Sequence, residues 1–329
     1  MKAKISITAG FLLGGALLFL AFRNIDFGRL VEIYSEVNPW YIIPFVLTIL
    51  LEMLFRSARW RLLLNPSRPV RLWDAFRLET AGLALSNILP LRLGEVVRGT
   101  FGSRIFGIPM ITVFATILVE RALDVIVLFA IFACAAWLGG ITGGFMNYDE
   151  LMWLLLAGLA CALGALIFSD EIVAHHWFSG FFARFPRLRS LFEKVAAGVK
   201  GLRSPKSGGL ILLLAALQWL MDALNCWWMA CAFGLEGTIN AFRSVALVFT
   251  AAAAVSVPGM PGFFGNYEFT LSKVLAGWGV PKDIGFAYAS YMHVVGYIFV
   301  TLLGVIFIYS MGHSISRLWG DFSGSGEGK

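Results

Sequence analysis

Charged residues are scarce in this chain. Only 14% of its 329 residues are Asp, Glu, Lys or Arg, whereas 59% are hydrophobic and the mean hydropathy is +0.79. Soluble domains carry about 25% charged residues, so this composition excludes an ordinary water-soluble fold and points to a polytopic membrane protein. Cysteine is rare as well. Cys134, Cys161, Cys226 and Cys231 lie in apolar segments, at spacings that build neither a zinc site nor a disulfide framework, and are read as packing residues. There is no Walker A loop, no H-E-x-x-H and no G-x-S-x-G, so P-loop ATP binding, zincin chemistry and the hydrolase nucleophile elbow have no motif here. The glycine-rich stretch 259–265 follows no strand of a βαβ unit and is not a dinucleotide fingerprint. No metal and no cofactor is implied. The net charge of +6 would suggest nucleic acid in a soluble protein. Here the basic residues lie between apolar runs, where membrane topology accounts for them without a nucleic-acid partner.

What is present is apolar length. Segments near 5–22, 40–58, 109–138, 151–168, 209–233 and 286–311 each approach the roughly 20 residues that cross a bilayer. Lys2 and Lys4 precede the first run, but no small-x-small cleavage site follows it, so it is read as a retained span. Two further apolar stretches, 73–106 and 241–279, are broken near their middles by proline and glycine. The expected fold is therefore all-α: six full spans and two re-entrant helical hairpins in a single transmembrane domain, 1–322, followed by a flexible tail, 323–329. Arg56, Arg59, Arg61, Arg68 and Arg71 crowd the segment after the second span, and seven Lys or Arg residues crowd 184–206, whereas 139–150 and 234–240 have none. The positive-inside rule then places both termini in the cytoplasm. It also makes the two hairpins enter from opposite sides. Paired broken segments of opposite entry are the sequence sign of an inverted repeat around a midplane substrate site.

The most informative stretch is 86–98, within the first hairpin. Three charges, Arg92, Glu95 and Arg98, sit in apolar surroundings where each costs roughly 2.5 to 3.5 kcal/mol at the bilayer centre, so they are expected to line a cavity. The alternative is a cytoplasmic loop with ordinary surface charges. Pro90 should end the incoming helix one residue earlier, and a second helix should follow. On that helix Arg92, Glu95, Arg98, Gly99 and Gly102 share a face. Its first-turn N–H groups and Arg92 would favour an anion. The second break, Pro258 to Gly262, is similar at its tip: Pro90 precedes Gly94 and Glu95, and Pro261, Gly262 and Gly265 precede Glu268.

Other polar groups fall within the spans. Glu120, Arg121 and Asp124 share one face of the third span, forming either part of the cavity or a salt-bridge cluster that fixes packing. Their acidic surplus would be balanced by Arg92 or Arg98 if the hairpin packs against this span. Gln218, Asp222 and Asn225 share a face of the fifth span, which is either a headgroup lining or an interhelical hydrogen-bonding seam. Glu268 follows the second break and is protonated at this depth unless paired, which makes it a candidate for proton coupling; Glu79 faces the same choice. His293, alone in the last span, reads as a hydrogen-bonded packing residue. Residues 185–202 have helical periodicity, as either an amphipathic helix on anionic inner-leaflet lipids or a solvated connector.

The run Asn87-x-x-Pro90-x-Arg92-x-Gly94-Glu95-x-x-Arg98, then Glu120-Arg121-x-x-Asp124, then Pro261-Gly262-x-x-Gly265-x-x-Glu268, resembles the lysylphosphatidylglycerol synthase transmembrane family, the flippase half of the multiple peptide resistance factor. The resemblance spans nearly the whole chain. It implies a multi-pass protein of a bacterial or archaeal cytoplasmic membrane that moves a lipid between leaflets, a transporter rather than an enzyme. Asn87, Arg92, Glu95, Arg98, Glu120, Arg121, Asp124, Asp222 and Glu268 are then the candidate headgroup residues, and the partner is a membrane lipid. The chain carries no soluble aminoacyl-transferase domain, so lipid lysinylation is not implied. Asn266-Tyr267 stands where some relatives carry a basic residue. The alternatives are a membrane-embedded transferase acting on a polyprenyl-phosphate or phospholipid, with its acids as base or metal ligands, and a scaffold for an envelope enzyme complex.

Overall fold

Each long apolar run among the described residues becomes a helix, and each proline- or glycine-bearing interruption becomes a break. The structure, a computed structural model, describes residues 26–89, 93–139, 198–257 and 259–311, with scattered positions within 12–20 and 153–190. The expected span 5–22 lies largely, and 151–168 partly, outside the described residues, and Pro90, Arg92 and Pro258 lie outside them. The helices used below are α1 (Phe27–Glu36), α2 (Ile42–Leu64), α3 (Leu72–Ile88), α4 (Leu93–Phe106), α5 (Met110–Gly139), α6 (Pro205–Ala232), α7 (Ala241–Ser256), α8 (Asn266–Gly277) and α9 (Lys282–Ser310). No strand occurs among the described residues.

Four of these helices are long and apolar enough to cross a membrane: α2 with its preceding turn, α5, α6 and α9. A third or less of each most apolar window is buried within the protein, so side chains such as Leu47, Leu118, Leu213 and Leu302 face outward. An apolar exterior of this kind is stable only against lipid. Helix starts are specified locally. The Asp26 carboxylate accepts from the Gly28 and Arg29 N–H groups, the Asn240 side chain accepts from the Arg243 N–H, and Pro205 occupies the first turn of α6. α3 stops at Ile88, and Leu89 is extended at φ −93°, ψ 143°, the conformation a following proline imposes.

The chain order is a long helix, a broken pair and a long helix, twice over: α2, α3/α4, α5, then α6, α7/α8, α9. The members of the first pair run antiparallel in close contact, because Gly94 lies on Gly82 and Ser86, while Gly82 meets Arg98 and Gly102 meets Leu78. A side chain at Gly94 would strike the backbone of α3. The halves interlock. α2 runs antiparallel to α6, linked by the Asn38 N–H to the Ala232 carbonyl and by the Thr48 hydroxyl to the Asn225 side chain. α3 packs antiparallel on α9, where the Asn87 amide meets the Thr301 hydroxyl at 3.1 Å and Gly304 touches Thr80 and Ala84. α7 packs in the same sense on α5, with Phe249 stacked on Phe132 at 4.2 Å and Gly139 against Phe242. Each broken pair thus packs against the long helix that closes the other half.

Two expectations change here. Residues 199–202 form a 3-10 turn buried with Leu63, Leu123 and Ile211, so this end of the predicted amphipathic segment joins the protein core and does not lie on a surface; most of the rest is outside the described residues. The cysteines are all free, but only Cys226 is a buried packing residue, whereas Cys134 and Cys161 are exposed.

Candidate functional site

A cavity of about 780 Å³ opens between the two halves, lined by residues of α2 through α9. Its lower polar wall is built where α3/α4 meets α2 and α5. Its opposite wall carries the second break, with Phe263, Tyr267, His293 and Tyr297. Volumes of 300 to 1,000 Å³ are typical of small-ligand sites.

The polar wall is an alternating network. Arg59 is fully buried and forks between two acids of α5, donating to Asp124 at 2.6 Å and to Glu120 at 2.9 Å. Arg98, 3% exposed, donates to the other oxygen of Glu120 at 2.6 Å and to Glu79 of α3. Its guanidinium lies 4.5 Å over the Trp60 ring, whose indole N–H donates to the Thr116 hydroxyl. Arg56 and Glu52 pair along α2 at 2.7 Å. Arg121 is held more loosely, 3.3 Å from Asp124 and 3.8 Å from Glu95, with its side chain 32% exposed. Bidentate arginine is suited to this bridging because its planar fork presents two donors to two carboxylates at once. Such a network is costly to desolvate, and it holds only because every strong charge has a counter-charge.

The expected balancing of the α5 acids by Arg98 is observed. Its partner Arg59 is not among the sequence candidates, because a second span over 40–58 leaves Arg56 and Arg59 with the basic residues at the end of that span. α2 runs on to Leu64, so both belong to the helix. A signal was available: Glu52, Arg56 and Arg59 follow the i, i+4, i+7 spacing, interleaved with Met53, Trp60 and Leu63, which continues the buried helical stripe past residue 58. Glu79, which shared with Glu268 the choice between pairing and protonation, is buried and paired with Arg98.

The remaining candidates separate by position. Asn87, Glu95, Arg98, Arg121, Asp124 and Asp222 line the cavity, whereas Glu120 lies behind the lining with no exposure. Asp222 makes no hydrogen bond or ion pair among the described residues, and its charged neighbours are Glu52, Arg56 and Asp124. Gln218 is fully buried, Asn225 serves the α2–α6 seam through Thr48, and Asp222 and Asn225 line the cavity. Among the described residues, no cluster of three metal-ligating side chains occurs.

The second break is fixed by its own chemistry. Gly262 at φ 70° and Gly265 at φ 90° adopt conformations that only glycine takes without strain. The Asn266 amide donates to the Val257 carbonyl, tying the start of α8 to the end of α7. Glu268, 2% exposed, accepts from the Gly265 N–H at 2.7 Å with one oxygen and meets His293 Nδ1 at 2.6 Å with the other. His293 is therefore not an isolated packing residue. Among the described residues no hydrogen bond or ion pair joins Glu268 to the arginine network, so the sequence candidates form two groups, one at each broken pair.

The family model described as the lysylphosphatidylglycerol synthase TM region matches residues 7–304. A UPF0104 membrane protein of Methanothermobacter thermautotrophicus is 27% identical over 295 residues, covering 82% of this chain and 83% of that protein. A second UPF0104 membrane protein, from Methanocaldococcus jannaschii, is 23% identical over 336 residues, covering 96% and 98%. No solved structure matches. The chain belongs to the lysylphosphatidylglycerol synthase transmembrane family.

Proposed function

We propose that this membrane protein is a lipid translocase, a flippase or scramblase, that passes a polar or phosphate-bearing headgroup through the cavity while the acyl chains stay in lipid. The observation that carries the reading is the cavity of about 780 Å³, lined by Glu95, Arg98, Arg121, Asp124 and Asp222 inside a shell of apolar helices. Ionised groups at such depth are tolerated where they face a watered path. On this reading α3/α4 and α7/α8 are re-entrant hairpins entering from opposite sides, and the halves are an inverted repeat within six spans. The repeated helix order and the antiparallel pairing of α2 with α6 support it. Arg61 in the last turn of α2 and Arg68 and Arg71 beyond it face the cytoplasm with both termini, in the cytoplasmic membrane of a bacterium or archaeon; the archaeal relatives agree with that setting.

The bonding pattern assigns roles. Arg98 and Arg59 already give their terminal nitrogens to carboxylates, so they shape the site. Arg121, loosely paired and partly exposed, is the cation for a headgroup phosphate, and Asp222 is the acceptor for headgroup hydroxyl or amine donors. Rocking of one half against the other would expose the cavity to each leaflet in turn. The test is leaflet exchange of a headgroup-accessible fluorescent phospholipid in proteoliposomes. Arg121→Ala and Asp222→Asn should each slow it about tenfold, the equivalent of 1.4 kcal/mol. Exchange equal to protein-free vesicles, or unchanged in both variants, overturns the reading. Product formed from a polyprenyl-phosphate or phospholipid donor would establish the transferase instead.

A further inference from the structure

The imidazole of His293 has one nitrogen committed and one open to the cavity. Nδ1 lies 2.6 Å from Glu268 Oε1, while the other oxygen of Glu268 accepts the Gly265 N–H at 2.7 Å. Against an ionised Glu268, which only accepts, Nδ1 is the donor; Nε2 then carries a lone pair in the neutral imidazole and a proton in the imidazolium. Nε2 has no partner among the described residues, and the ring lines the cavity with its side chain 13% exposed. The Phe264 and Tyr267 rings lie 4.6 and 4.5 Å from the imidazole, fixing its plane and offering faces that favour a cation.

Each element packed on this part of α9 can be inspected for competing charge. α8 contributes Glu268 and Tyr267; α9 itself contributes Tyr297, and α1 contributes Tyr34, whose hydroxyl bonds Ser290. The 3-10 turn at the break, Pro261–Phe263, brings no charged side chain. From farther across the cavity, α6 shows Asp222 and Cys226, α2 the Glu52–Arg56 pair, and α3 Glu79, which Arg98 holds. No guanidinium or ammonium contacts His293 among the described residues. The group that approaches it most closely is the Glu268 carboxylate.

We propose that His293, oriented by Glu268, is a proton-binding site of the cavity, and that Nε2 takes up and releases a proton as the headgroup crosses, coupling translocation to a proton gradient. The balance is simple: a proton from cavity water adds to the Nε2 lone pair, no other bond forms or breaks, and the pair passes from one negative charge to none. That change acts on the break itself. Glu268 holds the Gly265 N–H, and Gly262 is packed against the Tyr297 ring one turn beyond His293, so a new charge on the imidazole redistributes the carboxylate between the break and the ring. The coupling rests on the translocation reading, whereas the proton site does not.

Two measurements separate them. In nanodiscs, ¹⁵N-histidine spectra of the four-histidine chain should contain one signal that is lost in His293→Gln. In the wild type that signal should convert from neutral imidazole to imidazolium on acidification. Proton binding should be about tenfold weaker in Glu268→Gln, one pH unit on the titration. No conversion in the wild type overturns the site whether or not Glu268→Gln folds, and an unmoved titration in a folded Glu268→Gln overturns the role of the carboxylate. In vesicles without a membrane potential, one-proton coupling should shift the steady leaflet ratio of the fluorescent phospholipid by up to about tenfold per unit of pH gradient. Lipid exchange with no response to the gradient overturns the coupling while leaving translocation standing. A titrating His293 in a protein that moves no lipid overturns translocation and leaves the proton site.

Discussion

Removing Arg59 should do more damage than removing any cation exposed to solvent, and the structure says how the damage is undone. Arg59, Arg98 and Arg121 face Glu79, Glu120 and Asp124 three against three, with Glu95 outside this count at 3.8 Å from Arg121. Arg59→Met leaves one negative charge unopposed in a site without solvent exposure. Breaking a buried pair from one side costs about 3 to 5 kcal/mol. At about 2 to 4 °C per kcal/mol, the melting temperature in detergent should fall by roughly 6 to 20 °C. Adding Glu120→Gln restores neutrality, because Arg98 keeps Glu79 and Arg121 keeps Asp124, so Arg59→Met/Glu120→Gln should recover most of the loss. Coupling of this sign is what a double-mutant cycle measures. Arg59→Lys should fall between, since one ammonium does not span Glu120 and Asp124 as a fork does. The control is Arg29→Met, from an exposed i, i+3 pair, which should leave the melting temperature unchanged. An Arg59→Met protein as stable as the wild type, or a double variant in which the two losses add, would refute the balanced-network account.

The other predictions concern geometry and the cavity. Gly94→Ala pushes a methyl group into the Gly82 carbonyl and Ser86, so it should lower the yield of folded protein sharply in size-exclusion profiles, whereas Gly209→Ala, with open space around it, should be silent. Gly265→Ala forces a side chain onto φ 90° and should lower the melting temperature by the equivalent of roughly 1 to 3 kcal/mol. Asp222→Asn should leave the melting temperature within about 2 °C of wild type, because no partner among the described residues is lost, while slowing lipid exchange; a large stability loss would show that Asp222 is held in place by the fold.

The elements legible in the sequence are those specified within one helix or one turn. Apolar runs long enough to cross a bilayer gave α2, α5, α6 and α9, and Pro90 gave the end of α3, because length and backbone stereochemistry are local properties. Glu120 with Asp124 was legible as a one-turn spacing. What stayed hidden was set by helix packing. Whether an arginine near the end of an apolar run faces cytosol or core is decided by which helix lies against it. α5 approaches α4 closely enough for Gly99 to touch Phe114 and Gly102 to touch Val113, and that approach brings Glu120 within reach of Arg98 on one side and Arg59 on the other.

The His293–Glu268 pair has the same origin on the opposite wall. Nothing in a 25-residue separation marks two side chains as partners. Their meeting follows from the antiparallel return of α9 along α8, seen again where Gly285 contacts Leu275. In the first half the antiparallel return of α5 along α4 produces the Arg98–Glu120 pair. The same helix order therefore places a contact to a carboxylate between the second helix of each broken pair and the long helix after it. The contents differ: a guanidinium that stays charged at any physiological pH in one half, and in the other the imidazole proposed above as a proton site. If the halves move against each other, the first contact is a permanent clamp and only the second is able to change its charge, which locates the control of the cycle at the second break.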